Sequence, residues 1–292
     1  MQKKTLPTLM MIGSALIFGT VGIFRRNLSL SSALLAFFRG AVGAAVLLLF
    51  SFPRKQRPFR GLDRKSVLLL ALSGVLLGVN WMLLFEAYEH TTVPTATLCY
   101  YMQPTIVILL SPLLFGEKLT PKKLLCAGAA LLGMALVSGV FFGRTSASGN
   151  LKGVLLGLCA AFVYAAIVIL NKKIPGENAF GRTIIQLVFA AIAMLPGLLF
   201  GGQFTGLTLE GNALLLLLLL GVVHTGLAYI LYFAAVKKLP AQSAAILSYI
   251  DPVSALLFAA VFLRERLTVW GLFGAVLIIG AAIVSETGEK GA

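Results

Sequence analysis

Residues 101–120 read YMQPTIVILLSPLLFGEKLT, and residues 249–268 read YIDPVSALLFAAVFLRERLT. Tyr101, Pro104, Glu117, Leu119 and Thr120 return as Tyr249, Pro252, Glu265, Leu267 and Thr268, each 148 positions later. A fainter echo lies earlier in the chain. Gly13, Phe18 and Asn27 return as Gly157, Phe162 and Asn171, 144 positions on. One apolar unit is written twice, and internal repetition of this kind governs the whole architecture.

The unit belongs in a membrane. Hydrophobic residues make up 59% of the 292 and charged residues only 12%, against about 25% charged in a soluble domain. Ten apolar stretches are long enough to cross a bilayer, near 7–24, 31–52, 66–88, 93–115, 120–142, 151–171, 180–200, 211–236, 240–262 and 268–285. The expected fold is an all-α membrane protein of ten transmembrane helices. With the N-terminus placed in the cytoplasm, seventeen of the 24 Lys and Arg residues fall in cytoplasmic segments and six outside. That bias fits the positive-inside rule with both termini cytoplasmic. The basic loop 53–65 is expected against anionic lipid headgroups. The net charge of +14 does not point to nucleic acid, because no basic stripe is interleaved with exposed aromatics. The first apolar stretch follows Lys3 and Lys4 and reads as an uncleaved helix. Cys99, Cys126 and Cys159 sit in separate segments with neither metal nor disulfide spacing, so no metal or cofactor is expected.

Each copy holds five crossings, so the second copy must run upside down. The expected units are 1–143 and 144–292. Inverted repeats of this kind place a ligand site near the midplane and allow it to open to either side. Inversion also sorts the motifs. Glu117 and Glu265 fall on opposite surfaces and cannot share an ion site, so Glu-x-Leu-Thr reads as scaffold, with Thr120 and Thr268 as helix N-caps.

Ionisable groups inside a bilayer are expensive and are functional candidates by default. Asp251 lies near the middle of the ninth segment, just before Pro252, where a helix break facing a cavity is expected. Its mate in the fourth segment is the neutral Gln103. Arg39 in the second segment binds substrate or pairs with Glu86 or Asp251. His224 in the eighth is a proton group or a packed histidine bonded to a carbonyl. Glu86 lies near the end of the third segment, either wet or proton-coupling, and Gln186 mirrors Arg39. Asn80, Trp81 and Phe85 lie in the third segment with Tyr88. Tyr229 and Tyr232 share a face of the eighth, and Tyr101 and Tyr249 sit beside the two prolines. These aromatics either pack or form a wall for a cation. The substrate-binding candidates are Asn80, Trp81, Phe85, Tyr101, Gln103, Tyr229, Tyr249, Asp251 and Arg39. The proton-coupling candidates are Asp251, Glu86 and His224. Segments 3, 4, 8 and 9 are the expected cavity walls. Gly74 and Gly78, Gly139 and Gly143, and the series Gly149, Gly153, Gly157 mark close helix contacts.

Arg39-Gly40, the endings LLFGEKLT (113–120) and VFLRERLT (261–268), and the segments NWMLLFEAY (80–88) and ATLCYYMQP (96–104) together resemble the drug/metabolite transporter superfamily, EamA-type. The resemblance spans essentially the whole chain. It implies a multi-pass carrier of the bacterial plasma (inner) membrane for small metabolites, often an exporter of amino acids or related amphiphiles. The expected partners are a small-molecule substrate and the lipid bilayer, with the chain a monomer or homodimer. Transport coupled to protons through Asp251 and facilitated diffusion without protons both remain open. A membrane enzyme would need a nucleophile–base pair or a metal cluster. The chain has only His90 and His224 as histidines, no HExxH and no Gly-rich phosphate loop. A scaffold or sensor without transport is the third class.

Overall fold

The structure is a computed structural model that describes residues 2–25, 28, 30–51, 62–91, 93–138, 151–175, 178–205, 211–262, 264 and 267–286. The helices are α1 (Gln2–Gly19), α2 (Val21–Arg25), α3 (Ser32–Ser51), α4 (Arg64–His90), α5 (Val93–Tyr100), α6 (Met102–Phe115) and α7 (Pro121–Ser138). They continue as α8 (Leu151–Lys173), α9 (Ala179–Phe200), α10 (Ala213–Gly221), a π-helical stretch (Val222–Leu227), α11 (Ala228–Lys238), α12 (Ala241–Ser248), α13 (Ile250–Phe262) and α14 (Val269–Glu286). Among the described residues every regular element is helical. Eight helical runs among the described residues are long and apolar enough to cross a membrane, and there are two shorter apolar helices, Thr5–Gly19 and Val269–Ser285. Large apolar side chains face outward, as Leu113 (83% exposed) and Phe200 (92%) do. In lipid that surface needs no polar cover, because the hydrocarbon around it is as apolar as the side chains.

Small residues set the closest helix contacts. A Cβ added at Gly74 would lie 2.5 Å from the Gln186 carbonyl oxygen, and one at Gly78 would lie 2.6 Å from that of Ala190. The pair expected from spacing therefore holds α4 directly against α9. Gly139, Gly143 and Gly149 lie outside the described residues, as do Glu265 and residues 52–61 of the basic loop.

The fourth and ninth apolar segments are each broken in two. α5 stops at Tyr100 and α6 starts at Met102; α12 stops at Ser248 and α13 starts at Ile250. The cause is Pro104 and Pro252. Each lacks the N–H that would bond the carbonyl four residues back, on Tyr100 and Ser248, and each ring clashes with that carbonyl. In the first turn of a new helix the same proline fits without loss. Pro112 and Pro196 lie inside α6 and α9 without such a break. Thr120 accepts from Lys123 N at 3.3 Å and Thr268 from Gly271 N at 3.0 Å, so both threonines cap the helices that follow them.

Candidate functional site

The two breaks meet. The rings of Tyr101 and Tyr249 stack with centroids 6.2 Å apart. The Tyr249 hydroxyl donates to the Tyr101 carbonyl at 3.0 Å and lies 3.0 Å from Thr105 Oγ1. The Tyr101 hydroxyl donates to Asp251 Oδ2 at 2.7 Å, a short charge-assisted bond across the two copies. Asp251 sits in the first turn of α13, where the helix dipole favours a negative group. Among the described residues its carboxylate forms no ion pair.

Beside this junction lies a cavity of about 50 Å³. Met11, Ser14, Ala15 and Phe18 of α1 form one wall, and Tyr164 of α8 and Tyr232 of α11 another. Tyr100, Tyr101, Gln103, Ser248 and Asp251 complete it from the broken helices. Its aromatic rings touch in series. Tyr100 meets Tyr101 at 5.7 Å and Tyr164 at 5.8 Å; Tyr164 meets Tyr232 at 6.2 Å; Tyr232 meets Phe18 at 6.4 Å. A run of π faces around one carboxylate is a chemistry for positive charge.

The sequence-predicted residues divide. Tyr101, Gln103 and Asp251 line the cavity, and Tyr249 lies fully buried behind Tyr101. Tyr229 stands one ring back, 5.2 Å from Phe18 and 6.2 Å from Trp81. Phe85 lies 6.2 Å from Tyr88 and packs with Leu34 and Met194. Asn80 donates to the Ala160 carbonyl at 2.7 Å and ties α4 to α8. The third apolar segment, α4, thus backs the cavity, and α1 and α8 supply walls that the expected set lacked. Glu86 is a surface group, 3.0 Å from His90 and 3.7 Å from Lys152.

Arg39 pairs with neither Glu86 nor Asp251. Its Nε donates to Thr225 Oγ1 at 3.2 Å and Nη2 to the His224 carbonyl at 3.4 Å. Both acceptors belong to the π-helical stretch. His224 is buried, 2.8 Å from Thr20 Oγ1 and 3.4 Å from the Leu219 carbonyl, with Phe24 edge-on at 4.8 Å. Its surroundings are those of a packed histidine bonded to a carbonyl. Gln186 joins a buried polar cluster, donating to Ser73 Oγ at 2.7 Å and Asn171 Oδ1 at 3.0 Å.

The sequence reading passed over Tyr100, Tyr164, Ser14 and Phe18 as site residues. A signal existed in the tyrosines. Of the seven in the chain, Tyr100, Tyr101, Tyr164, Tyr229, Tyr232 and Tyr249 all join this one ring network. Phe18 was marked by its echo Phe162, but Phe162 is 60% exposed and faces away from the core.

Comparison with known proteins relates this chain to transporters. The model of the EamA-like transporter family matches residues 5–139 and again 151–287. An uncharacterized transporter of Bacillus subtilis is 28% identical over 99% of this chain and 92% of its own. The protein RarD of Salmonella typhimurium is 30% identical over 74% of this chain and 72% of its own. A probable amino-acid metabolite efflux pump of Salmonella typhimurium is 32% identical over 67% of this chain and 68% of its own. A solved crystal structure shares the fold with a TM-score of 0.81 at 21% identity, covering 96% of both chains.

Proposed function

This chain belongs to the EamA-like transporter family, and we propose that it carries a small ammonium-bearing metabolite, an amine or amino acid, out across the bacterial inner membrane. The observation that carries this is Asp251, set in a cavity walled by tyrosines with no ion pair among the described residues. An ammonium group satisfies both features at once, through the carboxylate and the π faces. The name of the Salmonella efflux pump supports an amino-acid-like solute and the outward direction. For the carboxylate end of such a solute, Gln103 offers an amide donor on the cavity wall, since Arg39 is held on the π-helical stretch and the Ser14 hydroxyl is committed to the Met11 carbonyl.

The chain crosses the membrane ten times in this reading, as two inverted five-helix repeats, 1–143 and 144–292, with both termini in the cytoplasm. The positive-inside bias supports it. Alternating access between the repeats moves the site from one face to the other. A carboxylate that holds either a proton or the solute couples the two flows in opposite directions, so Asp251 is the coupling group. The neutral mate Gln103 favours a second reading, facilitated diffusion, since only one repeat carries an acid at this position.

A melting-temperature screen of amines and amino acids on purified protein identifies the solute, because a ligand that binds only the folded state stabilises it. Flux of that solute is then followed in proteoliposomes with and without a pH gradient. Flux driven uphill by the gradient supports coupling; equal downhill flux in both supports the facilitative reading. No flux of any solute that shifts the melting temperature overturns the transport reading.

A further inference from the structure

Glu117 reaches across the two halves. Gly116 takes a left-handed conformation (φ 68°) that ends α6. The next residue extends to the start of α12, more than 120 positions away in sequence. Glu117 Oε1 accepts from Ala241 N at 2.6 Å and Oε2 from Gln242 N at 3.1 Å. The residue before α12 is Pro240, whose side chain makes no capping bond. The carboxylate therefore supplies the cap that α12 lacks of its own, and also meets the positive end of its dipole. Lys172 stands 4.0 Å from Glu117 and donates to the Leu239 carbonyl, and Lys237 donates to the Lys172 carbonyl at 3.1 Å.

From that end to the cavity, α6 and α12 are tied at successive levels. Below Glu117, Gln242 Nε2 donates to Ser111 Oγ at 2.6 Å. At the far end the Tyr249 hydroxyl meets Thr105. Both half-helices end at the breaks that form the floor of the cavity. Two polar atoms on α12, Gln242 Oε1 and Ser243 Oγ, are buried without a hydrogen-bond partner. Orphaned polar atoms penalise a permanently closed core but are repaid by water when a seam parts.

We infer that the α6–α12 seam is the gate between the cavity and the Lys172–Lys237 face, and that Glu117 is its latch. The inference deepens the alternating-access reading and rests on it. The short half-helix α12 links latch to floor, so releasing Ala241 and Gln242 frees the lever that ends beside Asp251. The gate is shut in this structure.

The test reads accessibility rather than flux. Ser243→Cys is introduced into full-length protein whose Cys99, Cys126 and Cys159 are replaced by serine, and a maleimide reports the seam. Ala190→Cys, packed between α4 and α9 away from the latch, reports general loosening. Glu117→Gln keeps one acceptor and loses the other together with the charge. Labelling at Ser243→Cys is expected to rise roughly ten- to hundred-fold, the worth of one charge-assisted bond, while Ala190→Cys stays protected. Glu117→Asp, should Glu117→Gln fail to fold, is expected to give a smaller rise at Ser243→Cys alone. Unchanged labelling overturns the latch, and so does a parallel rise at both positions, which marks Glu117 as a fold anchor. Wild-type flux is recorded separately. Its absence sinks the transport reading, whereas the labelling result decides the latch.

Discussion

Asp251→Asn separates binding from folding in a single substitution. Asparagine is nearly isosteric and keeps an oxygen for the Tyr101 hydroxyl, which now sits 2.7 Å from the carboxylate. What it removes is the charge. An ammonium group about 4 Å away at an effective dielectric near 20 gains about 4 kcal/mol from that charge. Part of this is spent stripping water from the cation, so the net loss is about 2–4 kcal/mol, or roughly thirty- to several-hundred-fold in Kd. The tyrosine faces remain and hold about 0.5–2 kcal/mol of cation–π attraction. At a solute concentration of about 100 Kd the wild-type protein is stabilised by about 2.7 kcal/mol, and the variant at the same concentration by less than about 1 kcal/mol. The unliganded variant melts no lower than wild type, because a half-buried charge with no ion pair among the described residues has been removed. The assay is the melting temperature with and without solute. A variant that keeps the full ligand-induced shift refutes the role of Asp251 in binding. One that melts early without solute shows the carboxylate to be structural.

Three further outcomes are expected. Gly78→Leu drives a side chain into the Ala190 carbonyl, 2.6 Å from the ideal Cβ position, and forces α4 off α9; thermal unfolding in detergent should show a loss of about 1–3 kcal/mol. Asn80→Ala removes the 2.7 Å bond to the Ala160 carbonyl and lowers stability by about 0.6–1.7 kcal/mol, the range for hydrogen bonds between helices in a membrane; the same melt checks it. Asp63 caps α4 outside the bilayer, and the Ser66 side chain and backbone N–H hold its carboxyl below the ordinary 3.8. A lowered folded value means the cap is in force above that pH and is lost as pH falls through the folded value. Hydrogen exchange in the first turn of α4, corrected for intrinsic rate, should accelerate only below about pH 4.

Much of the architecture is legible in the sequence because lipid imposes few alternatives. Apolar length gives the spans, the 148-residue repeat gives the pairing of Tyr101 with Tyr249, and Pro104 and Pro252 announce the breaks. The α4–α9 contact follows from Gly74 and Gly78 for the same reason, since only small residues let backbones touch. The cavity is less legible. Which helices enclose it depends on how they rotate and cross, and in a chain apolar on every face no hydrophobic stripe records that rotation. Hence Trp81 and Phe85 of α4 look as suitable as Tyr164 of α8, yet only the latter reaches the cavity. Arg39 shows a second limit. Its partners are in a π-helical stretch whose register no repeat spacing reveals.

The two copies share a tyrosine at each break but use it differently. Tyr101 gives its hydroxyl to Asp251, while Tyr249 gives its own to the Tyr101 backbone beside Thr105. The difference follows from one substitution between mates, Gln103 for Asp251. A carboxylate draws in a donor more strongly than a neutral amide, so Tyr101 is committed to the cavity and Tyr249 is left to brace the junction. In the proposed cycle, swapping the conformations of the repeats would exchange the surroundings of the two tyrosines, but it cannot exchange the acid. The two open states of that cycle therefore present Asp251 to different neighbours. An energy difference at that group is one that proton binding or solute binding can tip.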